Sequence, residues 1–254
     1  MTEIICYRHF AVLALTLAAL SSGPQSALAQ SGFEEQRESM VQQVIQLAVL
    51  TGEETGRPQF APQVIDALRA VPRHEFVPQA FRAAAYRNSA LPIGSGQTIS
   101  QPYIVALMTD LAAAGPESVV LEIGTGSGYQ AALLAEIVDH VYTIEIIEPL
   151  ARRAEETLNR LGYSNVSVRI GDGYRGWPEF APFDAILVTA APEEVPEPLV
   201  EQLKPGGRLV IPVGPENDAQ SLQVLEKTAA GQPRVTDILP VLFVPFLDEG
   251  SVPR

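Results

Sequence analysis

An α/β fold built on a doubly wound, mostly parallel sheet is predicted by three features of this 254-residue chain. Short β-branched runs alternate with helical ones between residues 118 and 213. A glycine-rich turn joins the first of those strands to a helix, and two more strand-like runs follow before the chain ends. The composition supports a packed domain, since 46% of residues are hydrophobic and 19% charged. Seventeen basic against thirty acidic residues leave a net charge of −13, which would repel a phosphate backbone and excludes broad nucleic-acid binding. One cysteine, Cys6, excludes a disulfide scaffold and a thiolate zinc site. Three histidines make a His-cluster metal centre improbable, so no metal ligands are assigned.

The first thirty residues stand apart. Arg8 and His9 precede an apolar run from Phe10 to Leu20, interrupted only by Thr16, about half of the roughly 20 residues that a membrane span needs. Gly23 and Pro24 follow, and Ala27-Leu28-Ala29 has the small-x-small pattern of a cleavage site. Residues 1–29 are therefore expected to be a secretory signal peptide, with export to the periplasm and no stable membrane insertion once it is removed. An uncleaved extension or a misplaced start, with the protein in the cytoplasm, is the alternative. Cleavage would remove Cys6, one acid (Glu3) and one base (Arg8), leaving a thiol-free single domain of residues 30–254 still at −13. Its residues 30–115 form an N-terminal helical and substrate-loop segment, and 116–254 the sheet core.

Within 30–115, Met40, Val41, Val44, Ile45, Leu47 and Ala48 recur at spacings of three and four, predicting a helix over 33–50. Pro62 opens a second helix striped by Val64, Ile65 and Leu68, and Pro72 ends it. Residues 73–101, with Pro78, Pro92, Gly94 and Gly96, read as an ordered loop, and 101–114 as a helix. Strands are expected at 118–123, 141–145, 166–170, 185–188 and 208–213, with helices at 129–137, 149–161 and 197–203 between them. Runs 221–227 and 235–244 read as an antiparallel edge pair.

Residues 120–130 read VLEIGTGSGYQ. A dinucleotide site wants a third small residue where Tyr129 stands, so the turn at Gly124, Gly126 and Gly128 suits another ligand. Glu122 before it favours a ligand bearing positive charge. Glu145, at the end of the second strand, has the lone pairs to accept from two ribose hydroxyls, and Asp172, between Gly171 and Gly173 after the third, to accept from an exocyclic amine. Singly, each acid also reads as a solvated loop residue or helix cap, and the turn as a plain connection; three at successive strand ends form a constellation.

VLEIGTGSGYQ, Glu145 and Gly171-Asp172-Gly173 resemble the Rossmann-like class I methyltransferases that use S-adenosylmethionine. ALPIGSGQTISQPYIVALM (90–108), VPRHEFVP (71–78), FDAILVTAAP (183–192), PGGRLVIPVG (205–214) and FVPF (243–246) resemble, more narrowly, the protein-L-isoaspartate O-methyltransferases over roughly residues 64–247. The resemblance implies methylation of the free α-carboxylate of L-isoaspartyl residues in damaged proteins and peptides, with S-adenosylhomocysteine as product; a monomer is expected, although the sequence carries no signal of oligomeric state. It assigns Ser100 the active-site position and Glu122, Gly124, Thr125, Gly126, Gly128, Glu145, Asp172 and Gly173 the cofactor contacts. Thr98, Ala190, Ala191, Val213 and Gly214 are expected to bound the substrate pocket, the last four at the carboxyl ends of the fourth and fifth strands.

No nucleophile–base pair is visible, and carboxylate methylation needs none: the carboxylate is ionised at pH 7 and the sulfonium methyl is already activated. Positioning is the remaining task, which a Ser100 hydroxyl suits; Ser100 as the N-cap of the following helix is the competing reading. A methyltransferase of another carboxylate, or a cofactor-binding adaptor or chaperone-like protein that has lost transfer, are the alternative functions.

Overall fold

A computed structural model of the chain describes residues 24–216, 218–228 and 233–251. The apolar run 10–20 lies outside them, and Ala27–Ala29 falls within the first helix, α1 (Pro24–Leu50). That helix starts well before the expected residue 33, because a proline tolerated at the first helical position opens it rather than breaks it. Its face of Met40, Val41, Val44 and Ala48 is buried against α3 (Pro62–Ala70) and α4 (Pro102–Ala112), with the one-turn α2 (Gly52–Thr55) between. An Arg69–Glu38 ion pair at 3.0 Å ties α3 to α1 at the surface. Among the described residues no helix is long and apolar enough to cross a membrane.

The stretch expected to be an ordered loop is ordered and also holds short regular elements. It contains two 3-10 turns, Arg73–Glu75 and Gln79–Ala84, and a hairpin of β1 (Leu91–Gly94) and β2 (Gln97–Ile99) in which Leu91 pairs with Ile99. Ser95 and Gly96 take φ of 53° and 72°, the two left-handed positions that let a two-residue turn follow strand twist. Strands this short, one carrying Pro92, have no periodicity to read, which is why they escape sequence analysis.

β3 (Val119–Ile123), β4 (His140–Glu145), β5 (Val166–Ile170), β6 (Phe183–Val188), β7 (Leu203–Val213), β8 (Gln220–Lys227) and β9 (Pro233–Val241) form one sheet in the order β5-β4-β3-β6-β7-β8-β9. The first five are mutually parallel; β8 and β9 each run antiparallel to the strand before them, as expected for the edge pair. β7 starts five residues earlier than expected because Pro205-Gly206-Gly207 forms a bulge instead of ending the strand: the pairing with β6 jumps from Phe183–Leu203 to Ala185–Arg208.

Alternation along the strands sorts two cores. Val120, Val141, Ala185, Leu187 and Val210 pack with α1, α3, α4 and α5 (Tyr129–Ala135), and α6 (Glu148–Leu161) adds Leu150 and Leu158. Leu121, Ile123, Ile186, Val188, Leu209 and Ile211 pack on the opposite face with Leu199 of α7 (Glu197–Glu201). The chain moves outward from β3 in one direction through β4 and β5, then returns to β6 on its other side. A crevice therefore opens at the carboxyl ends of β3 and β6.

Candidate active site

β3 runs into the glycine-rich turn at that crevice. Gly124, Gly126 and Gly128 have φ of 94°, 55° and 86°, a region that L side chains rarely adopt. A Cβ on Gly124 would also lie 2.5 Å from Thr189 Oγ1, whose hydroxyl donates to Gly124 O at 2.8 Å and so pins the turn to the end of β6. From the other side Glu145 holds the same turn: its Oε2 accepts from Gly126 N at 2.7 Å and its Oε1 from Ile147 N at 2.9 Å. Burial raises the Glu145 pKa while these backbone donors pull it back. A cleft bordered by Gly124, Gly126, Glu145, Ile147, Gly173 and Ala190 results, with Phe246 as its apolar wall. The Phe246 ring stacks on Tyr174 at 4.1 Å. Gly173 is required by this packing, since a Cβ there would lie 2.3 Å from Ile123 Cγ2 and 2.9 Å from the Phe246 ring.

Glu122 differs from expectation, and Asp172 is engaged by its own turn. Glu122 does not line the cleft: it pairs in register with Thr143 on the face covered by helices, is 0% exposed, and its Oε2 accepts from Thr143 Oγ1. Thr143 in turn shares a 2.7 Å hydrogen bond with buried Thr125, so Thr125 also braces the turn from beneath. Glu122 Oε1 has no partner among the described residues, and burial pushes its carboxyl up to about 8. At neutral pH it is mostly protonated, which removes the negative charge expected to face a cationic ligand. Asp172 caps the 3-10 turn Gly173–Arg175, accepting from Tyr174 N at 2.9 Å, with Arg175 Nε 3.6 Å from its other oxygen. Gly173 of that turn borders the cleft. Gly128 likewise serves as the N-cap of α5, packed near Ala154 and Leu158, and does not reach the cleft.

A second cavity of about 440 Å³ adjoins the first, sharing Thr98, Thr189 and Val244. Ala90, Ser100, Gln101, Ile104, Ala219 and residues 240–243 complete its walls, and none of its lining residues is charged. Ser100 is half-buried there and its hydroxyl makes no hydrogen bond with described residues. The helix N-cap is Gln101, without a side-chain cap bond, so the capping explanation of Ser100 fails. Ala190 faces the first cleft, while Ala191 is held by the carboxyl-terminal segment through Ala191 N to Val244 O and Phe246 N to Ala191 O. Val213 and Gly214 line neither cavity. β8 and the segment after β9 cross the carboxyl end of β7, where buried Gln220 accepts from Phe243 N at 2.8 Å, and so Ala219 and residues 240–244 form the wall expected from Val213 and Gly214. Leu242, Phe243 and Phe246 escape residue-level reasoning; the FVPF motif marks their neighbourhood, yet only tertiary structure brings it to β3.

The model of the protein-L-isoaspartate(D-aspartate) O-methyltransferase family matches residues 47–251. The chain belongs to this family. The protein-L-isoaspartate O-methyltransferase 2 of Syntrophobacter fumaroxidans is 55% identical over 236 residues, covering 93% of this chain and 96% of that one. The enzyme of Opitutus terrae is 53% identical over 93% of this chain and 97% of its own. A solved protein-L-isoaspartate O-methyltransferase superposes with a TM-score of 0.73 at 29% identity, over 82% of this chain and 65% of that one. A Plasmodium falciparum structure in complex with S-adenosyl-L-homocysteine shares the fold, with a TM-score of 0.69 at 22% identity over 85% and 99% of the two chains.

As a protein-L-isoaspartate O-methyltransferase, the chain is a protein-repair methyltransferase that uses S-adenosylmethionine. Its first cleft fits that cofactor. Each Glu145 oxygen accepts one backbone N–H and keeps a lone pair for a ribose hydroxyl, the glycines expose backbone where side chains would fill the space, and Phe246 and Ile147 offer apolar surface to a flat base.

Proposed function

We propose that methyl transfer to the isoaspartyl carboxylate takes place where the two cavities meet, at Thr98 and Thr189, with Ser100 orienting the carboxylate. The uncharged lining of the larger cavity carries this reading. A carboxylate bound beside Arg or Lys would be held tightly but lose nucleophilicity; hydroxyls hold it through neutral hydrogen bonds. The Ser100 hydroxyl, with no other partner among the described residues, donates to one carboxylate oxygen and leaves the other to attack. Glu145 and the Gly124–Gly126 turn hold the cofactor, which supplies an activated methyl group on its sulfonium. Ile104 and Val244 present apolar surface near the meeting point, where two opposite charges are consumed together. No base is called for, because the carboxylate is ionised at pH 7.

Incubation with labelled S-adenosylmethionine and a peptide containing isoaspartate, beside its aspartyl twin, tests the reaction: methylation confined to the first is expected, and cofactor binding without transfer would favour the adaptor. Ser100→Ala should lower kcat at least about tenfold, the worth of one hydrogen bond made to a charged group, with S-adenosylhomocysteine affinity unchanged. Near-normal turnover would sink the orienting role.

The signal-peptide pattern of residues 1–29 supports export to the periplasm, with residues 30–254 as one domain acting as a monomer. The protein recovered from cells should begin at Gln30 and sediment as a single chain. An intact Met1 terminus in the cytoplasmic fraction, or a dimer, would overturn the corresponding part.

A further inference from the structure

Arg73 is fully buried, yet no carboxylate lies within ion-pairing distance of it among the described residues. Its guanidinium donates from Nε to Ala85 O at 2.9 Å and from Nη2 to Ser100 O at 2.7 Å and Ser89 O at 3.5 Å, and it lies over the Tyr129 ring, 4.7 Å from the centroid. Nη1 has no acceptor among the described residues. Burial lowers its pKa to about 10, which still leaves it charged at neutral pH. A buried charge with no carboxylate partner and one donor unpaired is costly to place in a core. What the guanidinium does accomplish is a connection. Tyr129 is the first residue of α5, immediately after the glycine-rich turn, while Ser100 ends the strand-to-helix segment that contributes Thr98 and Ser100 to the larger cavity. One rigid, planar fork therefore spans the two halves of the site, the cofactor turn and the substrate segment.

We infer that Arg73 is a positioning residue for methyl transfer: it fixes the Thr98–Ser100 segment relative to the glycine-rich turn and so sets the approach of carboxylate to methyl group. The inference rests on the transfer site proposed above. Small displacements between reacting groups can cost a hundredfold in rate, so loss of the clamp should appear in turnover rather than in folding.

The test uses the full chain. Arg73→Met, which removes the charge and keeps the bulk, should lower kcat for the isoaspartyl peptide at least about tenfold, with KM and S-adenosylhomocysteine affinity within about threefold. Arg73→Lys, which restores a donor to Ser100 O without the fork, should recover part of the lost kcat. Turnover within about twofold of the parent for a folded Arg73→Met, a loss carried wholly by KM, or a joint fall of kcat, cofactor affinity and Tm would each overturn the inference. Ser100→Ala measured in parallel separates the two proposals. Normal turnover there beside a slow Arg73→Met sinks the Ser100 role and leaves the clamp acting on Thr98, whereas a slow Ser100→Ala beside a normal Arg73→Met sinks the clamp alone.

Discussion

At the scale of single residues, the two glutamates of the site illustrate how burial divides like groups into unlike roles. Glu145 meets the cleft with both oxygens already accepting backbone N–H bonds. Glu122, one strand away, is sealed under the turn with its carboxyl titrating near 8 rather than at its ordinary 4.5. The folded chain therefore retains a proton between those values that the unfolded chain releases. Stability from this source is complete below about pH 4.5 and is lost as pH rises through 8. Glu122→Gln, which cannot ionise, should gain stability over the parent as pH rises from 5 to 9, by on the order of a few kcal/mol at the top of that range. Chemical denaturation across the series reads it, and a difference independent of pH would show that Glu122 is not protonated in the fold. Glu145 is legible in the sequence because an acid ending a strand is a linear signal. Glu122 is not, because nothing linear says that its side of β3 is the one covered by helices, where Thr143 takes its hydrogen bond.

At the scale of elements, the long periodic helices and the five parallel strands can be read from spacing, since each must bury one face or two. The segments that shape the cavities cannot. The β1–β2 hairpin is held by its turn and by Arg153, whose Nη2 donates to Ile93 O at 2.6 Å, and residues 243–246 are held by Gln220 and by pairing with Ala191. These are long-range interactions with no local periodicity. Phe246 is where this matters most, as its ring closes the cofactor cleft while stacked on Tyr174. Phe246→Ala should raise the S-adenosylhomocysteine Kd about tenfold, which is the order of what one aromatic ring contributes at a binding site. The far-UV spectrum should not change, because the ring lies outside every helix and strand. Titration calorimetry on the two proteins decides it, and an unchanged Kd would remove the ring from the binding surface.

At the scale of the whole molecule, a net charge of −13 surrounds the cavity proposed to take the substrate, which has no charged lining. Any preference for the charge of a damaged protein must then come from the long-range field rather than from groups inside the cavity. Glu216 and Asp218, both exposed, stand beside the cavity residue Ala219 and bring part of that field to its edge. Isoaspartyl peptides flanked by lysines should therefore have a lower KM at low salt than the same core flanked by aspartates, with kcat equal. The Debye length shrinks from about 30 Å at 0.01 M to about 3 Å at 1 M salt, so the two KM values should converge as salt is added, the lysine peptide weakening and the aspartate peptide improving. A preference that persisted at high salt would mean that flanking side chains are recognised at short range, and would place the selectivity in the cavity wall instead of in the charge of the molecule.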